Sequence, residues 1–503
     1  MTSQATNGGP RLELLASTGN IASTSQRRKA TADLDPFIES AQWTADGTVV
    51  LTSSSENQIA GYIVPEDLLA PKSAPSKLSP SCRIQLPERS NVLASAPYFS
   101  LSETYTHQVL VSSRDHPIQL YYLQPSSGAA CSTPKDDGAG ADDLSNEAET
   151  AGGAERSRNV YPAASSFPFI KPRSEIFETA TSLIWPAPGH HFIAGTRNML
   201  AKFDVSRSGS GPIMHVKTVS TESRGGGQGG ASSFGSLRGT ISTLSAQPSN
   251  GSGSGGEGTG LVAAGTWTRW VGLYDFASSG QCVATWGVAS AATQTASQPA
   301  IADDNNGIST EARGIGGAGI TQTIWSPCGR YLLINERRSM GILVYDIRVT
   351  GKLLGWLSGR EARVNQRIMC DVYPSSSSNG FEVWSGTTQG AVKVWEDVGS
   401  REGAHSPAWD WQAHEATVGS ACLHQSGSVV ATASGSWEFS TLGSDVASSI
   451  SSASSSSPGS GPSAESSGSS SDDEAWLRRT VRESSLKLWG IASSSDRDDD
   501  AFD

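Results

Sequence analysis

What most restricts the fold of this chain is a unit that recurs about seven times along it. Each copy holds an apolar strand that runs to a turn, then a second strand closed by Gly, Ser or Thr. A tight turn follows, and a third strand ends in an aromatic residue. One such unit cannot bury both faces of its sheet alone, so copies must stack on one another. A repeat number near seven lies within the ~4–8 blades that close a β-propeller.

The units are legible one by one. The first runs from Glu39 to Val64 with its hairpin at Ala45-Asp46-Gly47, the second from His107 to Leu123, and the third from Thr181 to Val205 with Gly189 in the turn. The fourth is split into Thr240 to Gln247 and Gly260 to Phe276. Ile320 to Leu357 supplies all four strands of a fifth blade, with Val344-Tyr345-Asp346 where WD repeats carry Trp-Asp. In the sixth, Asn365 to Asp397, Val394-Trp395-Glu396 holds that place. The seventh opens at His414 to Gly435 and resumes at Ser484 to Ile491. Period-two alternation at Ile342 to Tyr345 and Ala391 to Trp395 favours strands over helices. The fold expected is all-β, a WD-repeat β-propeller of seven blades with long disordered Ser/Gly-rich loop insertions. The Gly-His pair that opens WD units survives best as Ala413-His414, so the His-to-turn support of such repeats should be missing from most blades.

Composition sets the domain limits. Only 36% of the 503 residues are hydrophobic while Gly numbers 54, so long stretches cannot offset their ordering entropy by burial. The expected division is an N-terminal segment over 1–36, part of it closing the last blade near Leu12 to Ala16, and a propeller over 37–436. Disordered inserts are expected near 125–165, 207–237, 248–258 and 287–314. A Ser-rich acidic insert over 437–483, a closing strand over 484–491 and an acidic tail over 492–503 complete the chain. Ser469, Ser470 and Ser471, ahead of Asp472-Asp473-Glu474, suit phosphorylation.

Several chemistries are absent from the sequence. It holds no GxxxxGK, GxSxG or HExxH pattern, so the reading is not an enzyme and no cofactor or small-molecule substrate is expected. Cys82, Cys131, Cys282, Cys328, Cys370 and Cys422 lie far apart and read as buried hydrophobes in a reducing compartment. His190 and His191 are adjacent on a strand and face opposite ways, which rules against a shared metal. The glycines from Gly225 to Gly230 read as linker. With no apolar signal core and no run of ~18 apolar residues, the chain is expected to be soluble, intracellular, free of membrane and a monomeric propeller.

The net charge of -12 sits largely in the acidic low-complexity tracts, and one loop position is basic instead. Stacked by their turns, the loops between second and third strands carry Arg114, Arg197, Arg269, and Arg337 with Arg338 in blades two to five. The connection into blade six adds Arg360, Arg363 and Arg367 on the same face, and Trp267 and Trp270 flank Arg269. Guanidinium forks beside exposed indoles suit single-stranded nucleic acid, phosphates pairing with the forks and bases stacking on the rings. The plainer reading is that each arginine braces a loop or pairs with Asp115 or Glu336 beside it. A protein-interaction scaffold or adaptor using the same face is the rival function, and weaker salt dependence would mark it.

Ser112 to Tyr121 (SSRDHPIQLY), the segments GTISTLSAQ and GLYDF, Ser358 to Val372 (SGREARVNQRIMCDV) and Ser385 to Trp395 (SGTTQGAVKVW) resemble the telomerase Cajal body protein family. The likeness extends with gaps from about Phe37 to Gly435 plus Leu486 to Trp489, and the inserts look like those of fungal-type members. The resemblance implies a nuclear propeller, in Cajal bodies where these exist, that binds small non-coding RNA (small Cajal-body, telomerase or spliceosomal) with its RNP proteins. Asn365 and Gln366, inside the Asn-Gln-Arg-Ile run that carries the likeness, join the arginines and Trp267 as expected RNA contacts.

Overall fold

A computed structural model describes residues 2–4, 9–21, 36–123, 163–171, 174–219, 236–248, 260–296, 314–375, 380–440 and 478–492. The inserts and tail expected from composition, and the Ser469 to Ser471 site, fall largely or wholly outside these residues. Seven four-stranded antiparallel units follow one another around a central channel. Their innermost strands are Ile38–Trp43, Ser90–Ser95, Ser182–Ile184, Ile241–Ala246, Ile320–Trp325, Cys370–Pro374 and Val418–Leu423. The protein is a seven-bladed β-propeller.

The core lies between the blades and not within them, as sheets stacked face to face require. Second strands such as Val429–Ser434 and Tyr331–Glu336 are buried along their whole length because a neighbouring blade covers each face. Seven apolar clusters fill the seven interfaces and so close the ring. Between blades 2 and 3, Phe192 stacks on Phe203 with centroids 4.7 Å apart and Phe167 meets them edge-on. Between blades 6 and 7, Trp384, Trp409, Trp411 and Trp489 pack together.

The seventh blade is assembled from distant parts of the chain. Its third strand, Ser485–Ile491, pairs with Val429–Ser434 on one side and with the N-terminal strand Arg11–Ser17 on the other. Two blades gain extra strands: in blade 7 Thr2–Gln4 pairs antiparallel and Ser76–Lys77 parallel with the outer strand, making six, and in blade 5 Gly403–His405 lies parallel along the outer strand, making five. The structure also places strands where inserts or nothing were expected. Met214–Lys217 is the outer strand of blade 3, and the outer strand of blade 2 is Ser165–Phe167. Short strands Glu438–Ser440 and Arg478–Thr480 pair at the roots of the acidic insert.

Blade 7 carries the full hydrogen-bonded set of a WD repeat. Trp489 Nε1 donates to Thr432 Oγ1 at 3.0 Å, that hydroxyl meets His414 Nε2 at 2.8 Å, and His414 Nδ1 faces Glu483 Oε1 at 2.9 Å. Burial keeps the His414 imidazole below its usual value, so the ring is neutral, with Nδ1–H donating and Nε2 accepting. Burial acts to raise Glu483, but hydrogen bonds from His414, Ser485 and the Glu415 N–H hold its carboxyl well below the usual carboxylate range.

The inner strands are laced to one another by side chains. Thr243 Oγ1 accepts the N–H of Thr323, Gln322 Oε1 that of Cys370, Asp371 Oδ2 that of Leu423, and Ser420 Oγ that of Ala41, at 2.8 to 3.1 Å. Each bond crosses to the next blade, which satisfies backbone donors that would otherwise be orphaned beside the channel. Among the described residues no helix is long and apolar enough to cross a membrane. Five described cysteines are free; Cys328 is exposed, contrary to the expectation that all are buried.

Candidate nucleic-acid interface

Antiparallel strand order puts the turns between second and third strands on the same face as the connections that enter each new blade. Backbone bonds confirm this at blades 5 and 6, where Arg338 N donates to Val364 O and Thr388 N to Glu361 O. In blades 1 to 5 each of these turns holds one non-glycine residue in the left-handed region: Asn57, Asp115, Asn198, Arg269 and Arg338, with φ of 61, 57, 60, 65 and 59°. Asn and Asp tolerate that conformation, whereas Arg gains nothing local from it.

The single aligned arginine position expected from sequence is therefore two positions. Arg269 and Arg338 stand where Asn57, Asp115 and Asn198 do, while Arg114, Arg197 and Arg337 directly follow their second strands, as Trp267 does in blade 4.

The arginines have different surroundings. Arg269 grips Glu336 of blade 5 through Nε at 2.6 Å and Nη2 at 3.1 Å, so it is a brace between blades. Arg360 is 1% exposed and donates to Ser385 Oγ at 3.1 Å and to Asn335 Oδ1 and the Ile368 carbonyl. Burial lowers its pKa to about 10. It ties the connection between blades 5 and 6 to both of them, and it is withdrawn from the set of solvent-facing contacts. Gln366 Nε2 donates to Gly435 O at 2.8 Å and is likewise occupied within the fold.

The mouth of the channel holds the rest. A cavity of about 1230 Å³ is lined by the inner strands of all seven blades and, at this face, by Arg89, Arg338, Arg363, Asn365, Gln366 and Arg367. Arg338, Arg363 and Asn365 are exposed. Arg367 is half-buried; its Nη2 reaches Ser242 O at 3.4 Å across the channel. Burial lowers its pKa, Glu39 opposes that shift, and the nearby positive charges of Arg337 and Arg89 add to it. Arg89 pairs with Glu39. Sequence reading missed Arg89 because the connection into blade 2 lies outside the repeating pattern. Arg238, exposed in the connection into blade 4, is a second such residue.

Farther round the same face, Arg197 is exposed and Arg114 pairs loosely with Asp115 at 3.4 Å, both well solvated. Trp267 is 44% exposed with the Arg337 guanidinium 5.8 Å from its ring centroid, a cation–π arrangement that presents a flat polar-apolar surface. Trp270, on the other side of Arg269 in sequence, is 38% exposed and lies over Gly287. Among the described residues no three His, Cys, Asp or Glu side chains are placed to hold a metal ion. The arrangement offers cationic forks around an opening, with an indole beside them, and can hold an anionic chain without bond chemistry.

No protein-family model matches the chain. Telomerase Cajal body protein 1 of Homo sapiens is 24% identical over 404 residues, covering 79% of this chain and 57% of that protein. The protein of the same name from Rattus norvegicus is 24% identical over 405 residues, with 79% and 59% covered. Guanine nucleotide-binding protein negative regulator 1 of Schizosaccharomyces pombe is 22% identical over 372 residues, 73% of each chain. The chain thus spans under two thirds of the length of the Cajal body relatives it matches. The seven blades, the hydrogen-bond set of blade 7 and these likenesses agree: the chain is a seven-bladed propeller of WD-repeat type that is similar to telomerase Cajal body protein 1.

Proposed function

We propose that this protein is a non-catalytic nuclear platform that binds a small non-coding RNA at the arginine-lined mouth of its channel and supports the localisation or assembly of the corresponding RNP. The observation that carries this reading is the convergence of Arg89, Arg338, Arg363 and Arg367 on one opening, with Glu39 paired to Arg89 among them, in a chain whose net charge is -12. Arg197, Arg337 and Trp267 extend the surface along which a strand would lie. The names of the telomerase Cajal body relatives support a nuclear RNP, and small Cajal-body, telomerase and spliceosomal RNAs are the candidates.

The test is binding of single-stranded RNA to the full chain across a salt series, followed by crosslinking and sequencing of RNA bound in cells. Each phosphate contact contributes a slope of about -0.7 in log affinity against log salt. Replacing Arg89, Arg338 and Arg363 by Ala should reduce the slope by about 2 and remove the enriched RNA class. An unchanged slope and no enriched class would leave the second reading, a protein-interaction scaffold. That reading draws on the fission-yeast relative, whose name describes a regulator of a guanine nucleotide-binding protein and which matches this chain over equal shares of both.

A further inference from the structure

The opposite end of the channel has a different chemistry. There the ends of the inner strands and the following turns of blades 1, 4, 5, 6 and 7 enclose a recess of about 580 Å³, and no Lys or Arg is among the residues that line it. Its walls include Trp43, Trp325, Tyr373 and His424. Both indoles are fixed across blade interfaces: Trp43 Nε1 donates to Cys422 O at 3.0 Å and Trp325 Nε1 to Ser245 O at 3.1 Å. His424 meets Trp43 edge-on with ring centroids 5.0 Å apart. Asp371 lines both this recess and the larger cavity, so its carboxyl stands at the waist between them.

Asp371 does work that a neutral residue does elsewhere in the ring. It accepts the N–H of the next blade's inner strand, as Thr243, Gln322 and Ser420 do in theirs. A hydroxyl or an amide suffices for the lacing, and a carboxyl at this depth is disfavoured in its charged form, pushed up to about 6 by burial. Each of its oxygens accepts one backbone N–H, from Val372 and from Leu423, both at 2.8 Å. A carboxylate has about four lone-pair sites, so each oxygen keeps an acceptor direction.

We propose that this recess takes the guanidinium of an arginine side chain presented by a partner protein, with Asp371 as its counter-ion and the rings of Trp43, Tyr373 and His424 as its walls. A planar fork suits two carboxylate oxygens and stacks on aromatic faces, and a cation entering from the other end would meet the arginines of the mouth. The site is separate from the proposed RNA surface and does not depend on it.

The experiment is calorimetric titration of the full chain with a capped, flexible Gly-Ser peptide holding one arginine. The same peptide with citrulline, neutral and of the same shape, and with lysine are the comparisons. Saturable binding of the arginine peptide, at least ten-fold tighter than either comparison, is expected. Asp371→Asn, which keeps an acceptor for Leu423, should weaken the arginine peptide at least ten-fold, with cooperative unfolding retained and RNA affinity unchanged. Absence of arginine binding, equal binding of citrulline or lysine, or full binding by Asp371→Asn would overturn the proposal. The mouth-arginine variants, read with RNA alone, report on the RNA surface independently of all these outcomes.

Discussion

Arg269 of blade 4 and Glu336 of blade 5 face each other across the blade interface in a two-point ion pair, and the Glu336 side chain is only 1% exposed. Its Oε2 also accepts the N–H of Gly317 at 3.1 Å. The pair therefore pins the turn of one blade to the second strand of the next. Arg269→Ala should destabilise the protein by about 2–4 kcal/mol, since it strands a buried carboxylate. Adding Glu336→Gln should recover part of that loss in denaturant unfolding. Equal stability of Arg269→Ala and wild type would remove the brace.

Arg338 shares the left-handed backbone of Arg269, but its side chain stays exposed at the channel mouth. Glycine adopts that conformation without steric cost, where an L side chain loses roughly 1 kcal/mol. Arg338→Gly should thus hold or raise the melting temperature while weakening RNA binding and lowering its salt slope by about 0.7. A variant that loses stability and keeps its RNA affinity would place Arg338 in the framework.

Thr432 is the hinge of the hydrogen-bond set in blade 7, accepting from Trp489 and meeting His414. Thr432→Val preserves shape but leaves a buried indole N–H and an imidazole nitrogen without partners, which should cost about 2 kcal/mol in unfolding free energy. Thr432 precedes the long acidic insert and Trp489 follows it. The same variant should therefore increase proteolysis at the strand Ser485–Ile491 ahead of the other blades.

Asp371 gives a pH dependence of known sign. Its pKa in the folded protein, about 6, lies above the ordinary 3.8, so the unfolded chain releases that proton first. The stabilising contribution is complete below about pH 4 and is lost as pH rises through 6. Asn keeps one of the two acceptors whatever the pH, so the stability of Asp371→Asn relative to wild type should rise by about 1–3 kcal/mol between pH 4 and pH 8. His414 and Glu483, both shifted down, act the other way, losing stability on acidification in the wild type and the variant alike. A wild-type-minus-variant difference that is flat with pH would contradict the assignment.

Where the chain repeats itself cleanly, its fold could be read from sequence. Ile320 to Leu357 holds four strands without interruption, and the aromatic at each third strand, Tyr345 or Trp395, is buried in the structure as the pattern implies. Blade 2 was half hidden. Its inner strand Ser90–Ser95 is only half-buried and lacks a strong alternation, and its outer strand has three residues set beyond residues 124–162. The basic face was legible as a list of arginines following second strands. Their partners were not, because no spacing shows that Glu336 reaches back to blade 4 or that Arg360 turns inward to Asn335 and Ser385. Arg89 was missed for the reverse reason: its neighbours in sequence say nothing, and only the closed ring brings it beside Glu39 and Arg367.

The strand Arg11–Ser17 finds its partner very late. Leu486 N donates to Thr18 Oγ1 at 3.0 Å across 468 residues of chain. At the ~5–20 residues per second of synthesis, roughly 25–95 s separate the two on the ribosome. For that interval Arg11–Ser17 has only Thr2–Gln4 and Ser76–Lys77 beside it, blade 7 lacks its third strand, and the apolar faces that blades 1 and 6 turn toward blade 7 lack their full cover. A helper that shields those faces during translation would raise the yield of this protein without changing the stability of any finished blade.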